Sequence, residues 1–478
     1  MIDFKVPAGL LVDGEWRAAD SGAVLAVVDP ATEDVLLEVA DASALDVPAV
    51  VDAAVGAFGP WAAAAPRARS ELLRRVFELV LERAEDFALL ITLEMGKPLA
   101  ESRAEVSYAA EFVRWYSEEA VRLTGTHRTA PAGNARHLTL RQPVGPCLLI
   151  TPWNFPLAMV TRKVAPAVAA GCTVVLKPAE QTPLTALLFG QVLLDAGMPA
   201  GVVNIVTTGQ PASVVSALLD DPRLRKLSFT GSTAVGRILL AGAARNVLRT
   251  SMELGGNAPF LVFEDADLDA AVEGAMLAKM RNGGESCVAA NRFLVHERIA
   301  DEFGSRLAAR MSAQRVGAGV DVGTTVGPLI DSAARDKVSA LVDDAVDRGA
   351  QVLVGGGSPD GPGYFYLPTV LADVSADAVL SQTEVFGPVA PIRAFESEEE
   401  ALTLANATEF GLVAYAYTRD VDRAFRVAEG LETGMVGINR GVVSDASAPF
   451  GGVKQSGLGR EGGEAGIQEY LETKYVAL

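Results

Sequence analysis

After Pro143 the sequence alternates short apolar runs with apolar segments of helical length. The runs CLLITP, TVVLKP, VVNIV and KLSFTG are rich in β-branched or other apolar residues, and they end in Pro, Gly or polar residues. Short buried strands separated by helices are typical of a doubly wound parallel sheet. Because ligands bind at the carboxyl ends of the strands in such a sheet, polar residues at those ends are candidate binding residues.

A second alternating region follows Phe293, with the runs FLVH, VGPLI, QVLVGG and AYAYT between helical segments that include EEEALTLANATEFGL and DVDRAFRVAEG. A chain of 478 residues is also too long for one ordinary hydrophobic core. We therefore predict an α/β fold with two doubly wound α/β domains. The first comprises residues 1–123 and 143–254, and the second comprises residues 255–446.

The segments outside these domains predict smaller features. Residues 124–142 alternate polar residues without a core-forming run, which indicates either an ordinary surface loop or an edge hairpin that projects as an arm. The tail 466–478 alternates weakly, and a projecting ribbon needs a partner surface, so we expect an arm for oligomerisation.

Within the first domain, Asp13-Gly14 predicts an N-terminal hairpin turn. Periodic apolar residues predict helices over 47–95, with Ser70 as an N-cap.

Composition and charge exclude several classes of protein. Lys plus Arg total 41 against 60 for Asp plus Glu, a formal charge of −19, which disfavours binding to nucleic acid or anionic membranes. The three cysteines lack C-x-x-C or paired-His spacing, so neither a disulfide framework nor a metal site is predicted. The N-terminus lacks the pattern of a signal peptide. We expect a cytoplasmic protein.

Polar residues follow the first two of the predicted strands. Asn154 lies between Pro152 and Pro156 in a stiff loop that cannot continue as a helix, and its side-chain NH₂ is a candidate donor to an oxyanion. The alternative is an Asn that only forms a turn. Lys177 and Glu180 could contact the ribose or phosphate of a nucleotide, or they could simply begin a helix.

The fourth apolar run ends in a glycine-rich turn. Gly231 to Gly236 has the spacing G-x-x-x-x-G, but Arg237 and Ile238 follow where a P-loop requires Lys and then Ser or Thr. The dinucleotide pattern G-x-G-x-x-G is absent as well. What remains is a strand, a turn and a helix N-terminus, which is suitable for phosphate but unspecific.

Two further residues are candidates for covalent chemistry. Cys287 lies three residues beyond Gly283-Gly284, where a turn can present a thiol instead of burying it, although most cysteines are small core residues. Glu253 ends a predicted strand directly before Leu254 and Gly255-Gly256, a pair that indicates the crossing between the two domains. A carboxylate at such a crossing lies at a cleft, where ligands usually bind.

The order and spacing of several motifs resemble the NAD(P)-dependent aldehyde dehydrogenase superfamily along essentially the whole chain. The matching motifs are PWNFPL, KPAEQTP, FTGSTAVG, MELGGNAPF, GESCVAANR, EVFGP and PFGGVKQSGLGREG. Within the superfamily the chain is most similar to succinate-semialdehyde dehydrogenases, through AMVTRKVAPAVAAGC, LSFTGSTAVGR, SAPFGGVKQSGLGREGG and the spacing of Arg281 and Cys287. The resemblance implies a Rossmann-like NAD-binding domain, a catalytic domain and an oligomerisation arm that forms a homodimer or homotetramer.

The resemblance also implies roles for individual residues. Cys287 would be the nucleophile, Glu253 the general base, and Asn154 the oxyanion donor together with the backbone N–H of Cys287. The cofactor-binding positions would be Thr151, Pro152, Trp153, Lys177, Glu180, Gly231, Ser232, Gly236, Leu254, Glu384 and Phe386. The distal carboxylate of a semialdehyde would be held by Arg162, Arg281 and Ser444, and an anionic substrate of a protein with this negative charge needs such a clamp.

The chain departs from the family pattern at three positions. Glu285 stands where the family often has Gln, and Ala289 occupies a position at which some relatives carry a second cysteine, so no redox-switch disulfide is expected there. Glu180 would repel a 2′-phosphate, so we predict NAD rather than NADP. The hypothesis is oxidation of succinate semialdehyde to succinate through a Cys287 thioester. The alternatives are a dehydrogenase for glutarate semialdehyde or another aliphatic aldehyde, a cofactor-free cysteine hydrolase, and a non-catalytic protein on the same fold.

Overall fold

The computed structural model of the protein describes residues 4–478 and contains two large sheets with helices packed against them. The elements before the crossing between the sheets are β1 (Leu10–Val12), β2 (Glu15–Arg17), β3 (Val24–Val28), β4 (Val35–Ala40), α1 (Val47–Ala63), α2 (Pro66–Glu82), α3 (Ala84–Met95), α4 (Leu99–Glu119), β5 (Thr126–Thr129), β6 (Arg136–Pro143), β7 (Cys147–Ile150), α5 (Ala158–Ala170), β8 (Val174–Lys177), α6 (Pro183–Asp195), β9 (Val203–Ile205), α7 (Pro211–Asp220), β10 (Lys226–Thr230), α8 (Thr233–Ala244) and β11 (Arg249–Glu253).

The elements after the crossing are β12 (Ala258–Val262), α9 (Leu268–Met280), β13 (Ala290–His296), α10 (Glu297–Ser312), α11 (Ser332–Asp347), β14 (Gln351–Val354), β15 (Thr369–Ala372), β16 (Val389–Phe395), α12 (Glu398–Asn406), β17 (Phe410–Gly411), β18 (Val413–Tyr417), α13 (Val421–Gly430), β19 (Met435–Ile438), β20 (Val453–Lys454), β21 (Gly457–Leu458), α14 (Gly463–Gln468) and β22 (Leu471–Ala477). Short 3-10 helices lie at Arg281–Gly284 and Val379–Ser381.

The first sheet has the strand order β2-β1-β9-β8-β7-β10-β11-β21. The five central strands are parallel, and β1 and β21 pair antiparallel at its two sides. Strands β7, β8 and β10 are buried on both faces, as expected for a parallel sheet covered by helices. The strand order reverses between β7 and β10, which is where ligands bind in open α/β sheets.

The second sheet has the order β14-β15-β16-β13-β12-β18-β19 and is parallel except for the edge strand β14. The two predicted α/β domains are therefore confirmed as separate sheets. Gly255 and Gly256 connect β11 in the first sheet to β12 in the second. A Cβ at Gly256 would lie 2.9 Å from the carbonyl oxygen of Cys287, so this crossing runs directly beside the cysteine.

The arm predicted at 124–142 is a hairpin of β5 and β6, and β22 adds to it as a third strand. Strand β22 pairs with β6 from Leu471↔Pro143 to Ala477↔His137. The loop alternative for 124–142 is therefore wrong, because both segments find strand partners. The N-terminal turn is as predicted, with Asp13 and Gly14 at φ 52° and 80° between β1 and β2.

Three local predictions are wrong. Helix α2 begins at Pro66, a residue favoured in the first helical turn, so Ser70 lies inside the helix and is buried instead of capping it. Helix α12 ends at Asn406 instead of continuing to residue 412, because the Asn406 side chain donates to Gly430 O and accepts from Glu432 N, and β17 then pairs with β20. The run VGPLI forms an isolated bridge between Val316 and Val326 instead of a strand.

No single helix in residues 4–478 is long and apolar enough to cross a membrane. By length and composition α1 and α2 meet this criterion only as a pair, and the two helices are bent by 117° at their junction.

Candidate active site

A cavity of about 260 Å³ lies at the carboxyl ends of β7, β10 and β11, where the first sheet faces the second. It brings together the three residues predicted to be catalytic with several of the predicted cofactor residues. The lining residues are Pro152, Trp153, Asn154, Met159, Thr230, Gly231, Ser232, Glu253, Leu254, Gly255, Cys287, Ala334, Lys337, Glu384 and Phe386. Segments far apart in sequence therefore converge on one space that is large enough for a small molecule or part of a larger one.

Cys287 lies between the 3-10 helix Arg281–Gly284 and β13. The preceding turn contains Asn282, Gly283 and Gly284 in left-handed conformations, with φ of 56°, 59° and 81°, so the glycine pair does provide the turn that presents the thiol. Burial raises the pKa of the Cys287 thiol to about 12. The Arg162 guanidinium acts in the opposite direction, and the neighbouring carboxyl groups add to the increase. The thiol must therefore lose its proton before it can act as a nucleophile.

Glu253 ends β11 and is 2% exposed. Both of its carboxyl oxygens are buried without a hydrogen-bond partner among residues 4–478. Burial and the nearby Glu461 carboxylate raise the pKa of Glu253 well above its usual range, while Arg162 and Lys163 oppose this increase. A carboxylate with a raised pKa is a stronger general base, and its free oxygens are available to a water molecule in the cavity.

Asn154 is fixed in the loop after β7 and is 4% exposed. Its side-chain Nδ2 donates to the carbonyl of Glu285 at 3.1 Å, which leaves the second N–H of this amide for another acceptor. Its own backbone carbonyl accepts from Lys97 Nζ at 2.8 Å and from Asn282 Nδ2 at 3.0 Å. The amide is thus held rigidly next to the loop that carries Cys287, as an oxyanion donor requires.

The residues around α8 and Glu384 fit a nicotinamide dinucleotide. Ser232 caps α8 by accepting from Val235 N, and Gly231 and Ser232 line the cavity, so the N-terminus of α8 lies at the cavity wall. Thr230 Oγ1 is buried there without a partner among the described residues. Such a helix end attracts phosphate groups. Glu384 Oε1 accepts from Gly256 N at 3.3 Å, and burial raises the pKa of this carboxyl to about 7. A carboxyl group in this position can accept hydrogen bonds from ribose hydroxyls.

Four predicted cofactor residues do not line this cavity. Gly236 lies under Leu254, since a Cβ at Gly236 would lie 2.5 Å from the Leu254 side chain. Lys177 and Glu180 form an ion pair of 2.6 Å at the carboxyl end of β8. Thr151 lies beside them, because its N–H donates to the Lys177 carbonyl at 3.1 Å. Lys177, Glu180 and Thr151 lie at the same edge of the sheet as the cavity, but farther towards β8.

The three predicted substrate residues differ in their surroundings. Arg162 is buried, with its Nε 2.8 Å from Glu461 Oε2, so part of its charge is already neutralised. Arg281 makes no ion pair with any carboxylate in residues 4–478, and its guanidinium lies over the rings of Phe155 and Tyr108 at 5.0 and 5.6 Å. Ser444 lines a neighbouring cavity of about 510 Å³ together with Tyr108. Of these two arginines, Arg281 is therefore the more available to bind a carboxylate.

The sequence matches the aldehyde dehydrogenase family over residues 16–476. The chain belongs to this family. Its activity is the NAD(P)-dependent oxidation of an aldehyde. The resemblance and the fold predicted from the sequence are thus confirmed, whereas the roles of individual residues stay predictions.

Similar proteins fall within this family. A succinate-semialdehyde dehydrogenase of Paenarthrobacter nicotinovorans is 61% identical over 93% of this chain and 98% of its own. A 3-sulfolactaldehyde dehydrogenase of Pseudomonas putida is 50% identical over 100% and 99%. The NADP(+) succinate-semialdehyde dehydrogenase GabD of Escherichia coli is 48% identical over 98% and 97%. The crystal structure of succinate-semialdehyde dehydrogenase from Burkholderia pseudomallei matches with a TM-score of 0.98, 49% identity and coverage of 99% and 98%.

Three residues near this aldehyde dehydrogenase site were missed in the sequence. Tyr108 of α4 lines the same neighbouring cavity as Ser444 and lies under Arg281. Lys337 of α11 lines the cavity, and burial lowers its pKa. Glu461 pairs with both Arg162 and Lys163. Tyr108 and Lys337 lie inside helices, away from any strand end or glycine turn, so no local signal could have found them. Glu461 lies directly before Gly462 and Gly463, which have positive φ, so the glycine-rich turn could have pointed to it.

Proposed function

We propose that this enzyme oxidises succinate semialdehyde to succinate with NAD through a covalent intermediate on Cys287. The observation that carries the proposal is that Cys287, Glu253 and Asn154 line one cavity while the Arg281 guanidinium nearby has no ion-pair partner among the described residues. An unpaired, half-buried guanidinium favours a substrate with a carboxylate. The names of three similar proteins agree, because succinate semialdehyde and 3-sulfolactaldehyde are both aldehydes with a distal anionic group.

The mechanism follows from the positions of the three cavity residues. The deprotonated sulfur of Cys287 attacks the aldehyde carbon, and Asn154 Nδ2 and the Cys287 backbone N–H stabilise the resulting oxyanion. When bound, the nicotinamide dinucleotide supplies the hydride acceptor for the oxidation. Glu253 then accepts a proton from the water molecule that hydrolyses the Cys287 thioester, and the carboxylic acid leaves. Gly231, Ser232 and Glu384 would hold the cofactor.

The choice of NAD rests on Glu180. Its carboxylate lies 2.6 Å from Lys177 and neutralises the cation that could otherwise hold a 2′-phosphate. Glu180 is also partly exposed, so it would repel the phosphate directly. We therefore infer a preference for NAD, in contrast to the NADP(+) named for the E. coli relative.

A second candidate function is the oxidation of a neighbouring anionic aldehyde, such as glutarate semialdehyde. Arg281 would bind the charged group of the substrate, but it does not select the length of the carbon chain that carries this group. One methylene changes the binding free energy in a pocket by only about 1 to 3 kcal/mol. The 3-sulfolactaldehyde dehydrogenase, which is 50% identical to this chain, shows that the range of possible anionic aldehyde substrates is wide. Chain length is thus the least constrained part of the proposal.

One steady-state comparison tests the proposal. Succinate semialdehyde, glutarate semialdehyde, 3-sulfolactaldehyde and the neutral aldehyde butanal are each assayed with NAD and with NADP. We expect the highest kcat/KM for succinate semialdehyde with NAD and the lowest for butanal. A higher value for another anionic aldehyde would establish the second candidate, and a butanal value equal to the best one would refute recognition of an anion.

We further infer a homodimer or homotetramer located in the cytoplasm, without nucleic acid or membrane partners. The support for an oligomer is the three-stranded sheet of β5, β6 and β22, on which the apolar side chains of Leu140 and Tyr475 are exposed. The net charge of −19 disfavours nucleic acid and anionic membranes as partners. Light scattering after gel filtration gives the number of subunits. Removal of residues 471–478 is expected to lower it, and an unchanged assembly would contradict the inference.

A further inference from the structure

Asn282 lies in the turn before Cys287 and joins the two loops that form the oxyanion site. Its side-chain Nδ2 donates to Asn154 O at 3.0 Å and to Glu285 O at 2.9 Å. Because an amide group has two N–H donors, both are used. Glu285 O also accepts from Asn154 Nδ2 at 3.1 Å, so three hydrogen bonds close a cycle between the loop after β7 and the loop of Cys287.

The backbone of Asn282 is prepared for this contact. Its φ of 56° and ψ of 38° are left-handed, a conformation that Asn tolerates better than most side chains. Its N–H donates to Glu101 Oε2 at 2.7 Å, and its side chain is 2% exposed, so water does not compete for the two carbonyls. The residue is thus fixed both at its backbone and at its amide.

We propose that Asn282 is a positioning residue for the oxyanion site, which acts by holding Asn154 at a fixed distance from Cys287. The inference rests on the proposed role of Asn154 as oxyanion donor. Displacement of such a donor by about 1 Å is enough to lose much of its effect on the transition state. Asn282 is not among the residues that line the cavity, so its effect on the rate passes through Asn154.

Lys97 also donates to the Asn154 carbonyl, but substitution of Lys97 would not test the proposed positioning of Asn154 cleanly. Its ammonium forms a buried ion pair of 2.6 Å with Glu105, and Glu105 in turn accepts from the N–H groups of Leu157 and Ala158 at the start of α5. Substitution of Lys97 would leave a buried carboxylate unpaired and destabilise the whole region. Asn282 is neutral, so its substitution leaves no uncompensated charge.

The test uses Asn282→Gly in the full-length enzyme, because glycine accepts the left-handed backbone and removes both donors without adding charge. Asn439→Gly is the matched control. Asn439 also has a positive φ, of 52°, and its Nδ2 also donates to a backbone carbonyl, that of Thr418 at 2.9 Å, in the loop after β19. We measure kcat and KM for the aldehyde, the rate of Cys287 alkylation by iodoacetamide, and the same parameters in an Asn154→Ala background.

We expect Asn282→Gly to lower kcat about 10- to 100-fold, less than the roughly 10²- to 10³-fold loss when an oxyanion donor is removed outright. Alkylation should change little, because that reaction forms no oxyanion. Asn439→Gly should keep the wild-type kcat. In the Asn154→Ala background, Asn282→Gly should lower kcat little further, because the residue through which it acts is gone. Asn282→Ala, which also removes both donors and adds no charge, provides the same kcat comparison if the glycine variant does not fold.

Three outcomes would overturn the proposal. The first is a wild-type kcat for the Asn282 variant, and the second is a full, additive loss in the Asn154→Ala background. The third is an equal loss of aldehyde turnover and of alkylation, which would mean that Cys287 itself has moved. If Asn154→Ala alone keeps the wild-type kcat, the proposed mechanism fails together with this inference, whereas a slow Asn154→Ala enzyme with a normal Asn282 variant refutes only the inference.

Discussion

Replacement of Arg281 by Met tests substrate recognition most sharply. The Met side chain keeps an unbranched apolar stem over Phe155 and Tyr108, and it removes the guanidinium, which has no carboxylate partner in residues 4–478. A hydrogen bond to a charged group contributes about 1.5 to 3 kcal/mol, and a factor of ten corresponds to about 1.36 kcal/mol. We therefore expect kcat/KM for succinate semialdehyde to fall roughly 10- to 150-fold, while the value for butanal stays within about threefold.

The assay is steady-state production of NADH with both aldehydes for Arg281→Met and for the control Arg114→Met. Arg114 lines the neighbouring cavity, but it is half exposed and pairs with Glu111 at 2.6 Å. Its substitution changes the net charge equally, and we expect little effect because exposed ion pairs are screened by solvent. Equal losses for the two aldehydes, or equal losses for the two variants, would refute recognition of the substrate carboxylate by Arg281.

Three further predictions concern the residues around the thiol and the cofactor. Glu253→Gln should lower kcat by about 10²- to 10⁴-fold, the range for loss of a general base, and a normal turnover rate would exclude that role. The rate of Cys287 alkylation by iodoacetamide without cofactor should rise with pH up to about pH 10, because burial raises the pKa of the thiol to about 12 and only the thiolate reacts; a plateau near neutral pH would contradict this. Glu180→Ser should raise kcat/KM for NADP relative to NAD, since it removes the repulsion of a 2′-phosphate, and an unchanged ratio would show that another residue selects the cofactor.

The parts of the site that depend on local chain geometry could be predicted from the sequence. Parallel strands have their carboxyl ends at one edge of a sheet, so the strand pattern made Asn154 and Glu253, which each follow or end a predicted strand, candidate site residues, and both line the cavity. The glycines beside Cys287 indicated a turn that presents the thiol, and three consecutive left-handed residues form that turn. The glycine pair Gly255-Gly256 after Glu253 likewise predicted the crossing between the two domains.

The parts that depend on tertiary packing could not be predicted. Arg162 and Arg281 looked equivalent in the sequence, but only the folded chain places Glu461 against Arg162. Tyr108 lies in the middle of α4, where its pattern is that of any amphipathic helix. Ser70 failed as an N-cap because Pro66 begins the helix one turn earlier, so a favourable residue type did not fix the position of the helix end.

The central claim is that the aldehyde becomes covalently bound to Cys287 in a cavity that it shares with Glu253. The most direct measurement is peptide mass spectrometry of Glu253→Gln, quenched rapidly after mixing with succinate semialdehyde and NAD. Because this variant lacks the base for hydrolysis, we expect a succinyl group on the peptide that contains Cys287. Formation of NADH without any such adduct, or an adduct on Cys147 or Cys172 instead, would contradict the account.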